Sequence, residues 1–208
     1  MKDKAALYSA PGSASEESAL RHWDALGKGN EAAFIAIYDQ YVEALYHYGE
    51  RLTTDKTLIE DCLQDLFAEL WLRQKELPEV QTVKFYLFKI LKRKINRKRT
   101  QRAKFISETA TDFDFELTLA PEAENDGWQL ASAQRETLLR ALNQLTPRQK
   151  EIVTLRFYDN FSYEEIAEIM TLSNRSVYNL TYRALAVLRR TIDESTWQQV
   201  LLALLFIQ

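Results

Sequence analysis

The chain has 208 residues, of which 46% are hydrophobic, five are glycine and four are proline. This length holds one or two compact domains, and the composition excludes wholesale disorder and favours an all-α fold over a turn-rich β-sandwich. One cysteine and two histidines exclude an internal disulfide and a typical Cys/His zinc site, and the net charge of −3 excludes little because the charges are unevenly distributed.

The first half of the chain is predicted to form a flexible tail over residues 1–15 and a helical domain over residues 16–104. Asn30 is a candidate helix N-cap, and apolar residues at helical spacing follow it. A later helix carries apolar residues on one side. Its other side carries Asp61, Gln64, Asp65 and Glu69.

A basic run lies between residues 80 and 107. It holds ten Lys or Arg and no acid, and its helix is expected to begin near Val83. Such a run is usually a solvated helix face, but its purity favours a polyanion partner. Cations interleaved with rings suit nucleic acid whose bases leave the stack, although Phe85 or Tyr86 could equally be packed core. The candidate residues are Phe85, Tyr86, Lys89, Lys92, Arg93, Asn96 and Arg97.

An acidic flexible linker is predicted over residues 105–130. Residues 105–134 hold seven acids and no Lys or Arg. Pro121 and Gly127 interrupt the segment, and no helical period is sustained through it. The fold is therefore expected to consist of two helical domains joined by a negatively charged tether.

The second domain, residues 131–194, is marked by clear helix-start signals. Segments 146–149 (TPRQ) and 162–165 (SYEE) both have the residue order of a capping box. A short helix over 163–170, a tight connection and a longer helix after Ser173 predict a helix-turn-helix.

The longer helix divides into two faces at 100° per residue. The apolar face, from Val177 to Leu188, is expected to be core. No acid occurs between Ile169 and Ile192, and Arg, Asn and Tyr on the other face suit guanine, adenine and phosphate contacts better than plain exposure to solvent. The candidate DNA contacts are Arg175, Ser176, Tyr178, Asn179, Tyr182 and Arg183.

Residues 195–208 form an apolar C-terminal extension. Packing against the second domain or the linker is the favoured role, and a partner-binding helix is the alternative. Its apolar run, 200–207, is eight residues long, far short of a membrane span, and no basic-then-apolar leader opens the sequence. We therefore expect a cytoplasmic protein with no direct membrane insertion.

Three motifs occur in order along the chain. They are EDCLQDLFAELW at 60–71, YLFKI at 86–90 before the basic residues, and LTPRQ at 145–149 leading through FSYEEIA at 161–167 to the long helix. Together they resemble the extracytoplasmic-function (ECF) group of bacterial RNA polymerase sigma factors. The resemblance covers roughly residues 20–192. The two predicted helical domains are similar to the family's sigma domains 2 and 4.

The resemblance implies roles for the candidate residues. Asp61, Gln64, Asp65 and Glu69 would meet the clamp helices of core RNA polymerase. The basic helix and the loop before it would bind and open the −10 element of promoter DNA, and the helix after Ser173 would read the −35 element. The acidic linker would thread the polymerase channel. The resemblance also implies control by an anti-sigma factor. We expect no cofactor and no metal, because the sequence has no motif for either.

Two positions depart from the family pattern. Arg93 stands where the melting helix commonly has Asn, which weakens the assignment of base contacts there. Thr171 occupies the turn position that often holds Gly. Because a β-branched residue is poor at positive φ, this turn is expected to be built differently.

A stand-alone helix-turn-helix regulator that does not bind polymerase is the alternative function. The acidic face around Asp61 and Asp65 argues against it, since a simple repressor has no use for such a face. An enzyme is not expected, because the sequence has no Gly-rich phosphate loop, metal cluster or recognisable nucleophile constellation.

Overall fold

The computed structural model describes residues 11–106, 115 and 132–192, with side chains for 15–102, 115 and 137–192. Residues in these ranges form helices and the connections between them, which confirms the all-α prediction. The chain divides into two compact units. Each unit has its own helices and its own buried side chains.

Four α-helices and one short 3-10 turn make up the described part of the first unit. They are α1 (Pro11–Gly27), α2 (Glu31–Leu52), α3 (Lys56–Leu72), the 3-10 turn (Gln74–Glu76) and α4 (Val83–Ile106).

Local side-chain caps explain where α2 and α3 begin. The Asn30 side chain accepts a hydrogen bond from the backbone N–H of Ala33 at 3.0 Å, as predicted, and Asp55 accepts one from Leu58 at 3.0 Å. Each bond satisfies a backbone N–H that has no partner within its own helix.

The sequence did not lead us to predict α1 as a helix. Residues 11–15, expected to belong to the flexible tail, form the first residues of α1. The overlooked signal is the helical spacing of Trp23 and Leu26, which are both buried. The rest of the predicted tail, residues 1–10, lies outside the described residues.

The core of the first unit forms where α3 packs against α4. Leu66 of α3 and Leu91 of α4 are both almost wholly buried. From α2, the Tyr48 ring lies 4.9 Å from the Phe88 ring. Because burying one such side chain contributes about 1.5–3 kcal/mol, apolar packing is the main source of stability here.

The second unit begins with α5 and ends with the helix-turn-helix. Its elements are α5 (Ser132–Asn143), α6 (Pro147–Val153) with a π-helical turn after it (Thr154–Tyr158), α7 (Tyr163–Met170) and α8 (Asn174–Thr191). Both predicted capping boxes are formed, with Thr146 and Ser162 as the N-cap residues. Ser173 caps α8 by accepting the backbone N–H of Ser176 at 3.2 Å.

The apolar face of α8 is buried, as predicted. Val177, Ala184 and Leu188 are each at most 3% exposed, and α8 packs against α5, α6 and α7. The buried hydroxyl of Thr181 donates to the Val177 carbonyl at 3.0 Å, so the one polar group on this face is satisfied within its own helix.

The turn between α7 and α8 contradicts one expectation. Thr171 adopts the left-handed conformation, with φ 55° and ψ 50°, that a β-branched residue was expected to avoid. The backbone N–H of Leu172 donates to the Ala167 carbonyl at 2.8 Å, and that of Thr171 donates to the Glu168 carbonyl at 3.2 Å. These bonds satisfy two of the last four carbonyls of α7 and offset a steric cost of about 1–2 kcal/mol at Thr171.

Two predicted segments fall largely or wholly outside the described residues. Within the acidic linker, Phe115 is described and its side chain is only 1% exposed. The extension 195–208 is outside the described ranges. No helix in the described ranges has the length and hydrophobicity needed to cross a bilayer.

Replacing Thr171 should test the strained turn. We expect Thr171→Gly to raise the free energy of unfolding of the second unit by about 1 kcal/mol, because glycine adopts positive φ without a Cβ clash. Thr171→Ala is the matched control, since alanine retains most of the steric cost. Thermal unfolding of the full chain measures both variants. A Gly variant no more stable than the Ala variant would show that the turn is not strained.

Candidate functional site

The outer face of α3 carries two of the four predicted polar contacts. Asp61 and Gln64 are exposed and lie on the side of the helix opposite its buried leucines. Among the described side chains, Asp61 has no ion-pair partner. An unpaired carboxylate on an exposed face is available to a basic partner.

The other two predicted contacts, Asp65 and Glu69, are paired within the first unit. Lys98 Nζ lies 2.7 Å from Asp65 Oδ2, and Lys94 Nζ lies 2.6 Å from Glu69 Oε2. Further along the same edge, Arg102 pairs with Asp55. We call these three pairs the α3–α4 ladder. From pair to pair, the sequence position of the carboxylate increases as that of the cation decreases, so α3 and α4 run antiparallel.

The ladder shifts the pKa of Glu69 and that of Lys98. The hydrogen bond and charge of Lys94 hold the pKa of Glu69 below its ordinary value. The hydrogen bond to Asp65 raises the pKa of Lys98. The charged forms of Glu69 and Lys98 are therefore stabilised, although solvent exposure keeps the contribution of each pair to stability small.

An apolar groove between α2 and α3 borders the same outer face. The Phe34 ring lies 5.3 Å from Trp71, and the Tyr38 ring lies 4.8 Å from Phe67. Ile35 and Tyr38, two residues of α2 that line the groove, are 51% and 41% exposed. Large exposed apolar side chains beside a polar rim are typical of a protein-binding surface.

Sequence reasoning missed this groove because it assigned the apolar residues of α2 and α3 to the core. The signal was present in the number of large apolar positions around α3. Trp71, which lines the groove, lies at 220° when Leu58 is placed at 0°, outside the arc of 0–180° that holds the buried residues of α3. An apolar residue outside the core arc predicts an exposed apolar contact.

The outer face of α4 combines cations with rings, as predicted. Lys89, Arg93, Asn96 and Arg97 are exposed, and Phe85 and Tyr86 are half-buried. Lys89 Nζ lies 5.3 Å from the centroid of the Phe85 ring. This arrangement offers phosphate contacts and stacking surfaces together.

Lys92 does not belong to that face, and its placement there was wrong. It is 8% exposed. The physical reason is that Lys92 follows Phe88 by one helical turn and is carried with it towards the interior. The predicted cationic face therefore included one residue, Lys92, that is buried.

A cavity of about 210 Å³ lies between the C-terminal part of α3, the connection after it and the first half of α4, and Glu69 is among the residues that line it. Charged, aromatic and apolar groups line it together. They include Arg73, Glu76, Pro78, Tyr86, Ile90 and Arg93. Burial is the largest cause that raises the pKa of Tyr86, so its phenol keeps its proton.

The polar face of α8 presents all six predicted residues to solvent. Arg175, Ser176, Tyr178, Asn179, Tyr182 and Arg183 are exposed. Its first turn carries no acid, so the partial positive charge of the helix N-terminus is not opposed there. This face has the chemistry of a major-groove reading surface.

A stack of side chains that the sequence did not predict supports Tyr178. The Tyr163 ring of α7 lies 4.3 Å from the Tyr178 ring with 33° between their planes. The Arg156 guanidinium carbon lies 5.3 Å from the centre of the Tyr163 ring. Tyr178 is 51% exposed and is therefore held on one side while its other side stays accessible.

Known protein families match both units. The family model for Sigma-70 region 2 matches residues 37–105, and that for Sigma-70, region 4 matches residues 135–188. The first match begins within α2 and runs through α3 and almost all of α4. The second runs from α5 into the last turn of α8.

Curated relatives give the group within the family. The RNA polymerase sigma-E factor of Streptomyces coelicolor is 29% identical over 160 residues, covering 74% of this chain and 85% of that protein. The ECF RNA polymerase sigma factor BldN of the same organism is 28% identical over 167 residues, covering 80% of this chain and 62% of that protein. The chain belongs to the ECF sigma factors. Members of this family are transcription factors and not enzymes.

Solved structures share the fold of this sigma factor. The sigma factor RpoE in complex with the anti-sigma factor NepR from Bartonella quintana has a TM-score of 0.54 at 23% identity, covering 76% of this chain and 95% of that one. CnrH in complex with the cytosolic domain of CnrY has a TM-score of 0.53 at 20% identity, covering 83% and 96%.

Acidification should weaken the α3–α4 ladder of this sigma factor. Because the folded pKa of Glu69 lies below its ordinary value of 4.5, the stability it contributes is present above that value and is lost as the pH falls through the folded pKa. Glu69→Gln removes this contribution at every pH. Between about pH 5 and about pH 3, the urea stability of the variant should therefore fall less steeply than that of the unmodified chain.

Glu43→Gln is the matched control for this experiment. Glu43 is a 79% exposed carboxylate of α2 that takes no part in the ladder. Its pH dependence should match that of the unmodified chain. An identical slope for the Glu69 variant and the control would contradict the electrostatic role of the ladder.

Proposed function

We propose that this sigma factor binds core RNA polymerase through α3 and directs promoter-specific transcription initiation through α4 and α8. The single observation that carries the proposal is the division of the first unit into two surfaces. An acidic outer face beside an apolar groove lies on α3, and a cationic face with rings lies on α4. A regulator that binds only DNA needs the second surface and not the first.

The proposed polymerase contact is centred on Asp61 and Gln64. Both are exposed, and the apolar groove beside them supplies area that charge alone cannot. Asp65 and Glu69 belong to the same proposed surface at its edge, where they exchange between their ladder partners and the basic side chains of the polymerase clamp helices. The groove supports affinity, and the carboxylates support orientation and rate of association.

The proposed −10 contact joins α4 to the loop before it. Lys89, Arg93 and Arg97 are placed to bind the backbone of a separated strand, and the rings of Phe85 and Tyr86 to stack with bases. The cavity beside Tyr86 is proposed to receive a base that has left the duplex stack. Unstacking a base costs a few kcal/mol, which stacking and phosphate contacts offset.

The proposed −35 contact is the exposed face of α8. Arg175 and Asn179 lie in its first two turns, the part of a recognition helix that meets base edges. Tyr178 and Tyr182 suit phosphate contacts because a phenol donates a single hydrogen bond. By binding the −35 element through α8, the second unit would fix the position of the first unit along the promoter DNA.

An anti-sigma factor is the proposed regulatory partner. RpoE and CnrH, which share the fold, were solved in complexes with NepR and with the cytosolic domain of CnrY. We propose that such a partner covers the α2–α3 groove and thereby competes with polymerase. Because a sigma factor works where the polymerase is, we propose that the protein acts in the cytoplasm.

Reversing the charge of Asp61 tests the polymerase contact. Asp61→Lys is expected to lower the affinity for purified core RNA polymerase by about tenfold or more, because it sets a cation against a basic partner. Asp61 is exposed and unpaired among the described side chains, so the fold should be unchanged. The control is Glu43→Lys, an exposed charge reversal on α2. Unchanged affinity in the Asp61 variant would contradict the assignment, and no affinity in the unmodified chain would favour the stand-alone regulator.

Removing Arg175 tests the −35 contact. If the Arg175 side chain forms a bidentate contact with a base, Arg175→Ala should weaken binding of the holoenzyme to its −35 duplex by about 1–3 kcal/mol. Arg183→Ala should have a similar effect. Arg189→Ala is the control, because Arg189 is exposed on the same helix but about 21 Å further along it. Competition binding against scrambled duplex separates specific from general loss. If Arg175→Ala and Arg189→Ala cause equal, small losses of affinity for the −35 duplex, the assignment of Arg175 as a base contact is wrong.

A further inference from the structure

The loop between the 3-10 turn and α4 is held by α1. The indole N–H of Trp23 donates a hydrogen bond to the Pro78 carbonyl, with 3.0 Å between Nε1 and O. Trp23 is 4% exposed whereas Pro78 is exposed, so this bond is partly shielded from competing water. A bond across 55 residues of sequence ties the start of the loop to a helix that precedes the matched sigma region 2.

The same indole supports the cavity wall. The ring centroids of Trp23 and Tyr86 lie 5.0 Å apart with 70° between their planes, an edge-to-face contact. Tyr86 is one of the residues that line the cavity beside α4, and so is Pro78. One side chain of α1 therefore contacts two of the residues that line the cavity, one in the loop and one on α4.

A second residue of α1 holds the far end of the loop. Glu16 Oε1 accepts the backbone N–H of Val83, with 2.6 Å between the two atoms. Val83 is the first residue of α4, and α4 has no acid in its own first turn. Glu16 thus supplies the negative charge and the acceptor that the N-terminus of α4 lacks locally.

Tyr41 fixes the Glu16 carboxylate from α2. The Tyr41 hydroxyl lies 3.3 Å from Glu16 Oε2. Burial and the neighbouring Glu16 charge raise the pKa of Tyr41, so the phenol keeps its proton and can donate. One carboxylate oxygen is bonded to α2 and the other to α4, which restricts its rotation.

We propose that α1 is the positioning element of the proposed −10 contact. Trp23 and Glu16 hold the two ends of the segment 78–83, so that the part of the cavity wall formed by Pro78 and Tyr86 is in place before a base arrives. The inference rests on the proposed −10 function of that cavity. A preformed cavity lowers the free-energy cost of base capture, because the loop then loses little conformational freedom when the base binds. Neither side chain need touch DNA.

The test uses holoenzyme assembled from the full chain and core polymerase, with a single-stranded −10 oligonucleotide as probe. Trp23→Phe keeps a buried ring and removes the hydrogen bond to Pro78. We expect it to weaken oligonucleotide binding about five- to tenfold, the range for one lost hydrogen bond. Affinity for core polymerase and for the −35 duplex should stay within about twofold of the unmodified chain.

Glu16 provides a second pair of variants with a built-in rescue. Glu16→Ala removes the acceptor for the Val83 N–H and should lower oligonucleotide binding to a similar degree. Glu16→Gln keeps an acceptor oxygen and should restore much of it. Asp24→Asn, an exposed carboxylate change on the same helix, is the control and should have no effect.

The outcomes separate this inference from the proposed function. If the unmodified holoenzyme does not bind the oligonucleotide, the −10 assignment itself fails. If it binds and the Trp23 and Glu16 variants bind equally well, α1 has no positioning role. Variants that lose core binding and −35 binding together with −10 binding would show that α1 acts on overall stability, which also overturns the inference.

Discussion

The antiparallel packing of α3 against α4 brings carboxylates of one helix opposite cations of the other. Glu69 meets Lys94, Asp65 meets Lys98, and Asp55 meets Arg102. Each pair is partly exposed and is worth little by itself, so the buried leucines between the helices supply most of the stability. The pairs instead decide which charges stay on which outer surface.

These ion pairs separate a cationic surface on α4 from an acidic surface on α3 within the first unit. The cations of the basic run that face α3 are paired there, whereas Arg93 and Arg97 remain on the outer face of α4. On α3, Asp61 keeps its charge exposed beside the apolar groove. A protein partner and a nucleic acid can therefore occupy the same unit without competing for one patch of charge.

Sequence reasoning succeeded where the signal was local and failed where two distant segments meet. Thr146 and Ser162 were identified as caps because a capping box spans four residues, and the faces of α8 follow from helical period alone. Lys94 pairs across 25 residues and Lys92 is buried by the packing of Phe88, so neither outcome can be read from the basic run itself. Thr171 shows that two backbone hydrogen bonds can override a local conformational preference.

The central claim is that one chain links polymerase to promoter, and run-off transcription with purified core polymerase on fragments of the source genome tests it most directly. The account predicts discrete transcripts that appear only when the chain is added and that start downstream of a shared pair of sequence elements. Core polymerase that remains unstimulated on every fragment, with a chain that is folded and binds duplex DNA, would contradict the account.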